Sequence, residues 1–352
     1  MVKGIDKINL LNDRKVLLYM FSINKSRKTI HLIIDDHSIR IVETNGDNIF
    51  AVRLFGERIL PKDLIRHGKI IDEIGFYEYM KDLVKELKIR NRQVRFNVPS
   101  SLVIMRQVEV PSHLQEKKEI LDYIDNELGK SIHLPFEDPI IDIPAVLPID
   151  SEAENEAREI TFFAAPGEEL RKYTEVFVDV SLRPQAVDVG ILSSYRYFHH
   201  TQTVAENRIY LLVEFNASST HLGIFNRGNI EFLRYQDLDI HVKGQYDEEL
   251  QEISWEYEED ENYAKGIMMD QVSELDRIMN FYRFSLHRGD KVVTDIVLFG
   301  DNPYLEDVYQ EMKNRFEGVQ VLLLPNHFNE RTNETISRAY IPALGLALRG
   351  GK

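Results

Sequence analysis

One layout occurs twice in this chain, and it constrains the fold more than any single motif. Residues 30–55 read as three strands: His31-Leu32-Ile33-Ile34-Asp35, Ser38-Ile39-Arg40-Ile41-Val42-Glu43 and Ile49–Phe55. Asn45-Gly46 supplies a tight turn before the third. Residues 209–235 repeat the order with Ile209–Phe215, an apolar run typical of a buried strand, then His221–Phe225 and Ile230–Tyr235. Asn226-Arg227-Gly228-Asn229 joins the last two. The residues differ but the arrangement is the same. Each meander is half of a mixed sheet, so the 352 residues divide into two similar lobes and not one core.

After the first meander, Tyr77, Met80, Val84 and Leu87 recur at helical spacing, and Val94–Val98 returns as a strand ended by Pro99. Strands that alternate with a helix in this way make an α/β lobe. Residues 101–182 read as a small α+β insert. It has a strand, Leu102–Val110, and a helix opened by a Ser112–Gln115 capping box that turns Ile120, Tyr123, Ile124 and Leu128 inward. Pro135, Pro139, Pro144 and Pro148 mark irregular or edge backbone, and Ser151–Glu159 is an acidic loop. A strand at Ile160–Ala164 and a helix at Glu168–Val176 complete the insert.

In the second half, the nine acids of Asp247–Glu261 surround the sole tryptophan, Trp255, and read as a solvated segment. The following helix buries Val272, Leu275, Met279 and Tyr282. Val292–Phe299 is a strand, Tyr304–Phe316 a helix, Val319–Leu324 a strand and Glu334–Leu348 a last helix. The expected division is therefore an extension (1–28), a first lobe (29–100 and 183–205), its insert (101–182) and a second lobe (206–240 and 290–352) with a helical part (241–289).

Composition removes several function classes. A formal charge of −15 repels a nucleic-acid backbone. Without cysteine there is no disulfide, thiolate metal site or thiol nucleophile. The eleven histidines show no metal-ligand spacing; His199-His200 reads as a helix-end pair. No Gly-x-Ser-x-Gly elbow is present. No catalytic or metal-binding residue is assigned. No run approaches the roughly 18–20 apolar residues that cross a bilayer. Val16–Phe21 is short and lacks a signal-peptide cleavage pattern, so the chain reads as cytoplasmic with no membrane insertion.

Four segments are specific in their order: Gly68-Lys69-Ile70-Ile71-Asp72, Val98-Pro99-Ser100-Ser101-Leu102-Val103-Ile104-Met105-Arg106, Ile132-His133-Leu134-Pro135-Phe136 and Ala343-Leu344-Gly345-Leu346-Ala347-Leu348-Arg349-Gly350. Over residues 29–350 the chain resembles the PilM family of type IV pilus assembly proteins, an FtsA-like branch of the actin-like ATPase superfamily. The resemblance implies a two-lobed, ribonuclease H-like α/β fold and a cytoplasmic scaffold of a type IV or competence pilus. It also implies weak ATP and Mg²⁺ binding, and a groove between the first lobe and its insert. That groove holds an N-terminal peptide of a PilN-like membrane protein, of the form Ile-Asn-Leu-Leu-Pro. Val103, Met105, Ile120 and Ile124 are the candidate contacts, and a secretion ATPase is a further implied partner. Rival implications are a working ATPase or phosphotransferase and a self-associating, filament-forming protein. Ile8-Asn9-Leu10-Leu11-Asn12 is similar to the partner peptide without its proline, and reads either as a free tail or as an occupant of the groove.

An actin-type site cradles phosphates between hairpin turns, where glycine lets backbone amides come close and acids hold Mg²⁺. In the first turn, aligned on Ser38, Ile33 replaces the acid and Asp35 the glycine; a gapped alignment returns Asp35 to the acid position but shortens the turn. The second turn keeps an acid, Glu214, with Asn216 for glycine and Ser218 beyond it. The adenosine turn retains Gly300 alone, followed by Asp301. These residues define a degenerate slot, in a protein expected to use the architecture for assembly with weak or no ATP hydrolysis.

Overall fold

The computed structural model describes residues 28–144, 158–247 and 252–350. The extension with Ile8–Leu11, Pro148 and most of the acidic 151–159 loop lie outside them. In chain order come β1 (Thr29–Ile34), β2 (Ser38–Asn45), β3 (Asn48–Ile59), β4 (Ile65–Arg66), β5 (Lys69–Ile70), α1 (Glu73–Glu86) and β6 (Gln93–Val98). Then follow β7 (Ile104–Val110), α2 (Lys117–Glu127), β8 (Pro139–Asp142), β9 (Arg158–Pro166), α3 (Gly167–Asp179), β10 (Arg183–Val189) and α4 (Gly190–Thr201). The second half has β11 (Ile209–Phe215), β12 (Ser219–Asn226), β13 (Asn229–Asp237), β14 (Val242–Asp247), β15 (Glu252–Tyr257), α5 (Glu261–Asn280), β16 (Asp295–Phe299), α6 (Leu305–Arg315), β17 (Gln320–Leu323), β18 (His327–Asn329), β19 (Glu334–Ile336) and α7 (Ile341–Ala347).

The repeated meander builds two sheets of one topology, β3-β2-β1-β6-β10 and β13-β12-β11-β16-β17. In each, the first three strands are antiparallel and the remaining two join in parallel. Parallel strands need crossovers, and α1, α3, α5 and α6 serve as these, each burying one apolar face. A separate sheet, β7-β9-β8, carries the insert with α2 against it.

Several elements differ from the sequence pattern, for physical reasons. α2 starts after a turn in which Leu114 N donates to Pro111 O, so its capping box is Glu116 with Glu119 and not Ser112 with Gln115. α1 buries Phe76, Met80, Leu83 and Val84, leaving Tyr77 and Leu87 half-buried. α3 does not belong to the insert's core: Leu170, Tyr173 and Phe177 pack under the first sheet. Glu334–Ile336 is a strand paired with β18, and the last helix begins only at Ile341, with Pro342 in its first turn. From Glu252 on, the described part of the acidic 247–261 segment is not simply a solvated loop. It contains β15, paired with β14, whose Ile253 and Trp255 are buried.

Two of the family-like segments meet in space. The Asp36 carboxylate accepts from His67 N at 2.5 Å and Gly68 N at 2.8 Å. A Cβ on Gly68 (φ +73°) would stand 2.6 Å from Pro99 Cβ, so only glycine allows this approach. Gly345 is equally constrained: its missing Cβ faces Ser193 O at 1.8 Å, where α7 crosses α4.

Candidate functional site

The first two slot turns match bond for bond. Asp35 N donates to Ser38 O at 3.0 Å, as Asn216 N does to Ser219 O at 2.8 Å. Leu60 N closes on His37 O at 2.8 Å, as Leu238 N does on Ser218 O at 2.9 Å. Ile34 pairs with Ile39, and Phe215 with Thr220. Asp35 therefore stands where Asn216 stands, Ile33 where Glu214 stands, and Arg40 where His221 stands. The first turn is not shortened, and its glycine position holds a carboxylate. Neither Asp35 nor Asn216 takes the left-handed backbone associated with glycine here.

The third turn closes over the end of β11. Gly300 (φ +129°) has no room for a Cβ, which would lie 2.2 Å from Phe215 O. Asn302 donates from its backbone to Phe215 O at 3.1 Å and from its amide to Asn216 O at 3.0 Å. Phe299 is fully buried in the core and has no face for a base.

Asp301 and Arg40 fill the space between the turns. Asp301 accepts from Ala217 N at 2.9 Å and from Trp255 Nε1 at 2.8 Å, and also pairs with Arg40. Its carboxylate thus takes a turn amide of the kind that would reach a phosphate. Arg40, 2% exposed, also binds Asp35 at 3.1 Å and Glu57 at 2.6 Å. The β14–β15 hairpin seals the arrangement, with Ile253 N donating to Glu57 at 3.1 Å and Tyr257 OH to Ala217 O at 3.0 Å. About 20 Å³ remains among Asp35, Ser38, Arg40, Ser218, Trp255 and Asp301, enough for about one water.

Electrostatics point the same way. Three carboxylates surround one guanidinium. Burial pushes Asp35 up to about 6 despite Arg40, and burial likewise raises Glu57. Added polyphosphate would meet like charge. Among the described residues no group of histidines and acids is arranged to hold a metal ion. In this closed arrangement the space between the turns is smaller than a nucleotide.

Across the slot lies a buried node on His221. Its Nδ1 meets Glu214 at 3.1 Å and Ser100 at 3.2 Å, and its Nε2 meets Ser219 at 3.1 Å. Burial would lower the His221 pKa, but Glu214 outweighs it and raises it. Burial would raise Glu214, but His221 and Asn216 hold it down. The order Ser219–His221–Glu214 mimics a hydrolytic triad. The Glu214 carboxylate favours the protonated imidazole, which works against a base, and Ser219 opens only onto the one-water space. The node acts as a strut: Ser100 and His221 stand on different sheets' flanks and tie the lobes together.

A larger cavity, about 160 Å³, lies where insert, first lobe and second lobe meet, lined by Ser100, Val103, Met105, Arg106, Leu233 and Tyr235 among others. It is flanked by β7 and β13, each an edge strand of its sheet. Val103 and Met105 are half-buried at its wall. Ile120 and Ile124 are not available to a partner: both are fully buried beneath α2 against the insert's own sheet.

Of the slot residues expected from sequence, Asp35, Ser38, Asn216, Ser218 and Asp301 converge on one space, with Gly300 shaping it and Glu214 turned to His221. Arg40, Glu57, Trp255 and His221 were missed. A charged Arg40 inside the apolar run of β2 was the available signal.

The sequence profile of the type IV pilus assembly protein PilM family matches residues 32–351. The chain belongs to the PilM family. Among solved structures, a PilM-PilN type IV pilus biogenesis complex matches with a TM-score of 0.72 at 19% identity, covering 94% of this chain and 100% of that one. MreB5 of Spiroplasma citri bound to ADP matches with a TM-score of 0.50 at 8% identity, covering 93% and 97%. At these identities the shared property is the fold, the two-lobed actin-like ATPase architecture. No curated protein matches. Among the described residues of this PilM-family chain, no helix is long and apolar enough to cross a membrane.

Proposed function

We propose that the chain is a scaffold of type IV pilus assembly that holds the cytoplasmic N-terminal tail of a PilN-like membrane protein and does so without nucleotide. It would sit at the cytoplasmic face of the membrane through that tail and could pass the state of a secretion ATPase to the assembly platform. The family match, with the likeness to a PilM-PilN complex, carries this reading.

The cavity beside β7 and β13 supports it chemically. Edge strands offer unpaired backbone groups to an extended peptide, and alternate side chains fill apolar pockets. Val103 and Met105 supply such a wall. The plugged slot supports nucleotide independence, because Asp301 and Arg40 already make the contacts between lobes that a bound phosphate would otherwise bridge. The same plug weighs against an ATPase or phosphotransferase.

The test is anisotropy of a labelled PilN-like tail peptide with wild type and Met105→Asp. A charge in the apolar wall should weaken binding at least about tenfold, since an unpaired buried charge costs several kcal/mol. Equal affinity of the two proteins would remove the cavity from the proposal, and no binding by either would remove the partner.

A further inference from the structure

The end of the second sheet remote from the slot carries an unusual surface. Nine large apolar side chains are exposed among the described residues, and four of them, Phe281, Phe284, Leu286 and Val292, fall within residues 281–292. This cluster is built, not frayed. α5 runs on into a π-helical turn, Phe281–Leu286, a rare geometry frequently found at functional sites. The wide turn buries Tyr282 and leaves Phe281, Phe284 and Leu286 outward.

Beneath the turn, Glu231 of β13 accepts from Tyr282 OH at 2.5 Å, Lys291 Nζ at 2.6 Å and Asn226 Nδ2 at 2.9 Å; His287 Nε2 lies 3.0 Å away without hydrogen-bond geometry. The carboxylate under the cluster is thereby neutralised and the turn is held to the sheet. Asn226 begins the β12–β13 turn, which brings exposed Arg227 to the same end. Arg283 lies over the Phe284 ring at 4.8 Å. Arg227, Arg283 and Arg288 have no carboxylate partner among the described residues, and Asp290 is the one acid in the 281–292 stretch.

On a chain of net charge −15, this face reverses the sign. We propose that the Phe281–Val292 turn, with Arg227, is a docking surface for an anionic phospholipid bilayer. Aromatic and aliphatic side chains would enter the headgroup boundary, and the arginines would pair with lipid phosphates. Repulsion from distant acids does not prevent this, because salt screens charges beyond about 8 Å. A turn that exposes Phe281, Phe284 and Leu286 beside Arg283 and Arg288 suits a fluid surface, and charge complementarity selects an anionic one. The proposal goes beyond the peptide reading, which brings the chain to the membrane only through its partner.

The experiment is co-sedimentation of the full chain with protein-free vesicles, so it is independent of peptide binding. Wild type should pellet with phosphatidylglycerol-containing vesicles, release at high salt, and ignore phosphatidylcholine. Arg283→Ala with Arg288→Ala should weaken partitioning about twenty-five-fold, about fivefold per arginine. Phe281→Ser with Phe284→Ser should abolish it while the melting curve and peptide affinity stay as in wild type. Phe284→Trp should shift its emission to the blue with anionic vesicles only. Binding that ignores lipid charge, variants that bind like wild type, or no vesicle binding at all, as expected if the turn meets a protein instead, would overturn the proposal.

Discussion

Replacing Arg40 with methionine removes the one guanidinium, among the described residues, from a buried space that holds Asp35, Glu57 and Asp301. The side chain is 2% exposed and contacts all three carboxylates. Methionine fills much of the volume, so the loss is chiefly electrostatic. Breaking a buried ion pair by removing one partner costs about 3–5 kcal/mol. Total stability is about 5–15 kcal/mol, so the variant should fold but only marginally. Urea unfolding followed by circular dichroism should show a midpoint lowered by about 1 M or more, taking m near 3 kcal/mol/M. Trp255, the chain's only tryptophan, donates to Asp301 and should report the loosened slot by a red-shifted emission. Adding Glu57→Gln and Asp301→Asn to Arg40→Met removes two of the three stranded carboxylates, leaving Asp35, the most exposed of them, and should recover at least half of the loss. The deficit should also shrink as pH falls. Without Arg40 the folded-state pKa values of Asp35 and Glu57, already raised by burial, lose the guanidinium that lowers them, so the folded state binds protons more readily. If Arg40→Met unfolds at the wild-type midpoint, or the triple variant is weaker than the single one, Arg40 is not the keystone of the slot.

Three further outcomes follow from particular residues. His31 is fully buried beside Arg95, and burial followed by that arginine lowers its pKa to about 3. The unfolded chain therefore binds a proton below about pH 6.5 that the folded chain refuses, at ~1.4 kcal/mol per pH unit. At pH 5 wild type should have lost about 2 kcal/mol relative to His31→Gln in paired urea titrations, with no such divergence above pH 7. The His221–Glu214 pair has the opposite slope at its upper end. The raised His221 contributes stability below about pH 6.5 that fades as pH rises through its folded pKa, and the lowered Glu214 contributes above about 4.5. His221→Gln should therefore be more damaging at pH 6 than at pH 9 in thermal melts. Gly345→Ala drives a Cβ into the Ser193 carbonyl and should cost at least about 3 kcal/mol, seen as a collapse of the melting temperature.

The sheets were legible in the sequence because their strands alternate with strong punctuation: Asn45-Gly46, Pro99 and Arg227-Gly228 end or turn strands where the structure does. The β14–β15 hairpin was not, because its buried face is only Val242, Ile253 and Trp255 among acids, and composition outweighs so few apolar positions. The short β18–β19 pair failed for a similar reason, being fixed by Asn329, whose amide holds Val52 of β3, a contact far away in sequence. At the slot, motif comparison found which positions had changed. It could not find what replaced the lost contacts, since Arg40, Glu57, Trp255 and Asp301 come from four strands or turns that only the folded chain brings together. Ile120 and Ile124 mislead as contacts because helical spacing identifies an apolar face without saying whether the face meets the chain itself or a partner.

The most direct measurement is calorimetric titration of the purified chain with a PilN-like tail peptide, with and without Mg-ATP. A slot closed by its own Arg40–Asp301 contact predicts saturable peptide binding of the same affinity in both conditions, and no heat from Mg-ATP alone. Peptide binding that appears only once Mg-ATP is added would contradict the account.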